Sequence, residues 1–111
     1  MGNLPKYQVK KSTNYQFYWV LIAVNGEPIL NGETYSSKQG CLNGIASSKV
    51  CTSDSNFRRL TANNGQYYFN QIANNGEIIG KSEMYNTMQG RENGVSSVKR
   101  DAPNARIEDL T

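Results

Sequence analysis

The sequence predicts an α+β protein built from two tandem strand–hairpin–helix repeats that share one antiparallel sheet, with two helices on one face. Three observations lead there. Displaced by fifty residues, the chain matches itself without a gap: 17 of the 37 positions in 14–50 are identical in 64–100. Each copy carries an Asn-Gly pair, Asn25-Gly26 and Asn75-Gly76, between runs rich in aromatic and β-branched residues, which is the strongest short hairpin signal. Each hairpin is followed by a segment with helical apolar spacing behind a polar cap residue.

The elements follow in order. "YQVKK" and "FRRLT" open the two units as short strands, "QFYWVLIA" and "QYYFNQIA" are the first hairpin arms, and "PILNGET" and "IIGKSEM" return. A two-residue type I′ turn, with positive φ at both residues, sets Ala23 against Pro28, Leu21 against Leu30, Trp19 against Gly32 and Phe17 against Thr34. The opposite face then pairs Ile22 with Ile29 and Tyr18 with Glu33, repeated as Ile72 with Ile79 and Tyr68 with Glu83. Ser36 and Asn86 are the expected helix N-caps, with Gln39 and Gln89 three residues on, and Pro103 stops the second helix. Tyr7, Phe57 and Ile107 share one phase of the repeat, so the tail reads as the opening strand of a third unit. That strand is expected to close against the other unit, as the strand near Phe57 closes the first. The expected organisation is one domain over 1–111, with repeats at 6–55 and 56–105 and a closing strand at 105–110.

Each helix carries a stripe of its smallest residues: Gly40, Gly44 and Ser47, and likewise Gly90, Gly94 and Ser97. A helical glycine costs about 1 kcal/mol relative to alanine, so the stripe implies close approach to a large partner such as the aromatic sheet face or the other helix. A phosphate-binding glycine loop precedes its helix and is followed by Lys-Ser/Thr, whereas these glycines lie inside theirs.

Composition narrows the function. With 37% hydrophobic residues the chain folds rather than staying disordered, and it has no apolar run long enough to span a bilayer. The N-terminus lacks the apolar region of a signal peptide, and Lys6 stands where a myristoylation signal needs Ser or Thr. A net charge of +3, carried by scattered Lys and Arg, argues against a dedicated nucleic-acid binder. Cys41 and Cys51 are ten residues apart in a predicted helix, about 15 Å of rise, which is too far for a disulfide. Free thiols and a cytoplasmic location are the expectation.

No histidine is present, which removes the commonest acid–base group and metal ligand, and no Cys or carboxylate set has metal-ligand spacing. The expectation is a protein without catalytic residues, metal or cofactor. The symmetric carboxylates Glu27/Glu77 and Glu33/Glu83 read as turn and cross-strand residues. If the helices cover only the Phe17/Trp19/Leu21 side, then Tyr18, Ile22, Ile29, Tyr68, Ile72 and Ile79 form an open apolar-aromatic face. Either strand curvature or the terminal strands bury that face, or it suits another protein; single-stranded nucleic acid stacking on Tyr18 and Tyr68 is the further alternative, opposed by Glu33 and Glu83.

"ANNGEIIG", "SEMY", "GRENGVSSVK" and "DAPNAR" at matched spacing, with a first copy that has "NGETY" for the Ser-Glu-x-Tyr element, resemble the YegP-like proteins of bacteria in their two-copy form. The resemblance covers essentially the whole chain. It implies an α+β fold in which two units assemble about a pseudo-twofold axis with exchanged terminal strands. It implies a monomer, because a two-copy chain pairs internally, and it supplies no activity.

Overall fold

Aromatic and β-branched side chains crowd a helix but fit a pleated strand, and the chain divides accordingly. A computed structural model describes residues 4–111. The Gly2 position lies outside the described residues. The first repeat contains β1 (Lys6–Lys11), β2 (Phe17–Ile22), β3 (Pro28–Gly32) and α1 (Lys38–Val50). The second contains β4 (Phe57–Thr61), β5 (Tyr67–Ile72), β6 (Ile78–Ser82) and α2 (Met88–Asp101), and β7 (Arg106–Asp109) ends the chain. Short 3-10 turns, Asp54–Asn56 and Ala102–Asn104, follow the two helices, and Pro103 sits in the second.

All seven strands form one sheet in the order β4-β5-β6-β3-β2-β1-β7. The repeats meet at β3 and β6, where Leu30 faces Ser82 and Gly32 faces Gly80. Exchanging each residue for its twin fifty positions away turns one pair into the other, so this joint is a twofold. Two expectations need correction here. The sheet is mixed, because β7 runs parallel to β1, with Tyr7 beside Ile107. The Phe57 strand does not cross over: β4 pairs with β5 of its own repeat, so only the tail strand is exchanged.

The hairpin turns also differ from expectation. Positive φ occurs at Gly26 (86°) and Gly76 (90°) but not at Asn25 or Asn75. Gly26 N donates to Ala23 O and Ala23 N to Glu27 O, both at 2.9 Å, closing a three-residue loop instead of a type I′ pair. The odd loop is compensated by a register shift between Leu21 and Ile22. Leu21 therefore still faces Leu30, but Ile22 faces Pro28 and Ala23 meets Glu27. A second irregularity pairs Phe17 with Tyr35 rather than Thr34, and Tyr67 with Tyr85 in the other copy. The N-caps lie one residue later than expected, at Ser37 and Thr87, whose hydroxyls accept from Gly40 N and Gly90 N.

Both helices lie on one face of the sheet, α1 against β2 and β6, α2 against β5 and β3, so each spans the joint. Beneath them are Tyr7, Trp19, Leu21, Leu30, Phe57 and Phe69, all buried. Tyr7 meets Trp19 edge-on at 5.2 Å, and Phe57 meets Phe69 in the same way at 5.8 Å. One polar chain crosses this core. Tyr7 Oη donates to Ser48 Oγ, which donates to Gln71 Oε1, each at 2.7 Å, tying α1 to the second repeat.

Candidate binding clefts and the open sheet face

The helical glycines exist because a tyrosine lies across them. A Cβ on Gly44 would sit 2.1 Å from Tyr35 Oη, and one on Gly94 would sit 2.4 Å from Tyr85 Oη. Gly40 and Gly90 are less tight; their nearest neighbours would be the cap hydroxyls of Ser37 and Thr87 at 3.2 Å. Burial raises both phenol pKa values. The Trp19 indole partly offsets this for Tyr35, while Glu83 and Glu27 add to it for Tyr85. Trp19 Nε1 lies near the Tyr35 hydroxyl without the alignment of a full hydrogen bond.

On the outer side of each glycine stripe is a cleft. One, of about 490 Å³, lies between Gly90, Asn93, Gly94 and Ser97 of α2 and the first repeat's hairpin, with Asn25 and Glu27 at its rim and Ile29 and Tyr85 within. The other, of about 330 Å³, lies between Gly40, Asn43, Gly44 and Ser47 of α1 and the second repeat's hairpin, with Asn75, Glu77, Ile79 and Tyr35. The two are twins under the fifty-residue shift. Each takes its helix from one repeat and its hairpin from the other.

Ile29 and Ile79 are thus not on the open face where the alternation placed them. The hairpin irregularity leaves each without its expected cross-strand partner, and both are buried on the helix side. Of the remaining face residues, Tyr18, Tyr68 and Ile22 are half-buried and Ile72 is buried. Polar and basic neighbours dilute what apolar surface is left. Lys10 is opposite Tyr18, Lys6 opposite Ile22, and Lys81 Nζ lies 4.9 Å from the centre of the Tyr68 ring. Glu83 accepts from Asn31 Nδ2 at 2.7 Å.

Cys41 and Cys51 are free and buried, and burial raises the Cys41 pKa, away from thiolate chemistry. Among the described residues, no three His, Cys, Asp or Glu side chains gather as metal ligands. Among them too, no helix is long and apolar enough to cross a membrane. The cleft residues Tyr35, Tyr85, Asn43, Asn93, Ser47 and Ser97 were absent from the open-face reading. Their signal was available in the self-match, since each pair is identical across the repeats.

Comparison with known proteins agrees with this doubled architecture. A family model described as "Domain of unknown function (DUF1508)" matches residues 12–56 and again 62–109. The chain belongs to this family. It carries the family's unit twice, in the tandem form also implied by its resemblance to the YegP-like proteins. A UPF0339 protein of Shewanella oneidensis is 54% identical over 41 residues, 37% of each chain. The UPF0339 protein YegP of Escherichia coli K12 is 42% identical over 59 residues, 52% of this chain and 54% of that one. These matches therefore span about half or less of the relatives' lengths. The solution NMR structure of yegP from E. coli, described as a protein of unknown function, superimposes with a TM-score of 0.90 at 42% identity, covering 96% of this chain and 92% of that chain. The NMR structure of a UPF0339 protein from S. oneidensis gives 0.90 at 41% identity, covering 96% and 91%. No activity accompanies the family or these relatives.

Proposed function

We propose that the protein is a small, cytoplasmic, non-enzymatic binding module, and that its twin clefts hold the ligand. One observation carries this reading. Ten aligned positions line both clefts, and nine are identical between the repeats; only Pro28/Ile78 differs. Of the other 27 aligned positions, 8 are identical. The core has diverged instead: Trp19/Phe69, Leu21/Gln71, Leu30/Gly80, Gly32/Ser82, Ile45/Val95 and Ser48/Val98 all differ. Turn geometry accounts for Asn25 and Asn75, whose side chains accept from Glu27 N and Glu77 N. Tyrosine packing accounts for Gly44 and Gly94. Helix-surface amide pairing accounts for Asn43 and Asn93, which accept from Gln39 Nε2 and Gln89 Nε2. None of these accounts for the exposed pair Glu27/Glu77.

The lining contains carboxylates, amides and hydroxyls but no Lys or Arg, which favours a neutral or cationic ligand over an anion. The tyrosine in each floor is shifted away from neutral pH, the opposite of what proton transfer requires. An NMR screen of small neutral, cationic and anionic compounds tests the reading. Neutral or cationic compounds should shift the amides of Gly40, Asn43 and Gly44 together with those of Gly90, Asn93 and Gly94. Ser47→Phe should abolish the first set only, and Ser97→Phe the second only. Hits that map elsewhere would sink the reading.

A second reading rests on the open face, where Lys81 stacks on Tyr68 and Lys10 flanks Tyr18. It is a weak single-strand nucleic-acid surface, tested by gel shift across a salt series; absence of binding at low salt ends it.

A further inference from the structure

The twofold is broken at the ends of the sheet. The outer side of β1 carries β7, in parallel. The outer side of β4, the twin of β1, pairs with no strand among the described residues. An unpaired edge is a template for another strand, and here the molecule shows how one docks. Arg106 N donates to Pro5 O at 3.2 Å and Leu110 N to Val9 O at 2.9 Å, so odd-numbered residues of β1 face β7. Their twins on β4 include Phe57 and Arg59. Phe57 N already donates to Asp54 O in the preceding turn, and the Phe57 carbonyl accepts from Arg59 Nη1 at 3.4 Å, so the backbone groups this edge offers a new strand are those of Arg59.

The side chains beside the two edges are also matched by position, and they differ in chemistry. Glu108 of β7 accepts from Gln8 at 2.9 Å and pairs with Lys6 at 3.0 Å, while Asp109 pairs with Lys38 at 2.9 Å. The twin of Gln8 is Arg58, which is exposed, and the twin of Lys38 is Met88, which is 57% exposed. Ile107 lies beside Tyr7, whose twin is Phe57.

We propose that the outer edge of β4 is the docking site for an extended segment of another protein, which adds as a parallel strand. That segment carries an apolar residue beside Phe57, a carboxylate beside Arg58, and an apolar residue toward Met88. The tail of a second copy is a poorer occupant, because its Asp109 would meet Met88, and Lys38 already holds it. Arg58 also blunts the edge against unselective pairing, which leaves an acidic strand as the partner it admits.

The probe is the synthetic peptide NARIELLT, residues 104–111 with D109L, titrated into the labelled full-length protein and followed by NMR. It should shift the amides of Phe57 and Arg59 and protect that of Arg59 from exchange. Affinity should fall about tenfold against R58E, and a peptide that also carries E108K should bind R58E better than the parent. Should R58E not fold, the E108K peptide must still bind the parent more weakly than NARIELLT does. Shifts confined to β1, or none on β4 at millimolar peptide, would overturn the proposal. So would concentration-dependent protection of the Arg59 amide in the protein alone, which would assign the edge to a second copy.

Discussion

At the end of α1, Tyr7, Ser48 and Gln71 form a buried hydrogen-bonded chain; at the end of α2 the twin positions hold Phe57, Val98 and Leu21, buried and apolar. The helix ends explain the difference. Gln71 Nε2 donates to Ser48 O at 2.9 Å and Cys51 O at 2.8 Å, carbonyls that the last turn of α1 leaves over. The second helix runs on through Asp101 into a 3-10 turn, and Ala102 N takes Val98 O instead. One repeat completes its helix with a side chain borrowed from the other, and the second completes it with its own backbone. A buried glutamine is thus tolerated where backbone carbonyls need donors, and its position makes the first repeat depend on the second.

Substitutions at these twin positions test the contrast. Leu21→Gln places a buried amide where no such carbonyls wait, and should cost about 4 kcal/mol in urea unfolding, from lost apolar burial and an unsatisfied polar group. Gln71→Leu should cost about 2–3 kcal/mol, since it strands the Ser48 hydroxyl and two carbonyls. Adding Tyr7→Phe and Ser48→Val to Gln71→Leu should recover about 1 kcal/mol by removing the orphaned hydroxyls while the carbonyls stay unmet.

The neighbouring volume swap comes next. A Cβ at Gly32 would lie 2.2 Å from Trp19 Cε2, whereas the twin pair is Phe69 with Ser82. Gly32→Ser should cost about 2 kcal/mol, and Trp19→Phe in the same chain should recover more than half of it. Thermal melts of the single and double variants would show whether the two seats are interchangeable.

The smallest effect concerns β7, which has no counterpart on β4. Hydrogen bonds hold its carboxyls below their usual range: Gln8 and Lys6 act on Glu108, and Thr111 and Lys38 on Asp109. A carboxyl lowered in the folded state stabilises above its ordinary pKa, and that stabilisation is lost as pH falls through the folded value. Lowering the pH below about 4 should therefore reduce the exchange protection of β7 amides, measured against the intrinsic rate at each pH, before it does so in the central strand β3.

Much of the fold could be read from residue order, because repeats, hairpin dipeptides and caps are local. The hidden parts depend on distant geometry. Asn25-Gly26 marked a turn, but positive φ at Gly26 alone required a third loop residue, and the resulting shift moved Ile29 and Ile79 to the helix side. The parallel sense of β7 depends on where the Ala102–Asn104 turn delivers the chain, not on the strand's own residues. The expected caps, Ser36 and Asn86, each fall one residue short, because only the hydroxyls of Ser37 and Thr87 reach Gly40 N and Gly90 N. The clefts join a helix to the hairpin of the opposite repeat, which no fixed spacing reveals, even though Asn43/Asn93 and Tyr35/Tyr85 stood in the self-match throughout.

Whether the two repeats stand or fall together can be read from urea unfolding of one sample with two reporters. Trp19, the sole tryptophan, reports the first repeat by fluorescence, and the amides of Phe69 and Val95 report the second by NMR. A single shared midpoint that moves as one in Gln71→Leu is the expected result. Two separate transitions, or a shift confined to the second repeat, would contradict it.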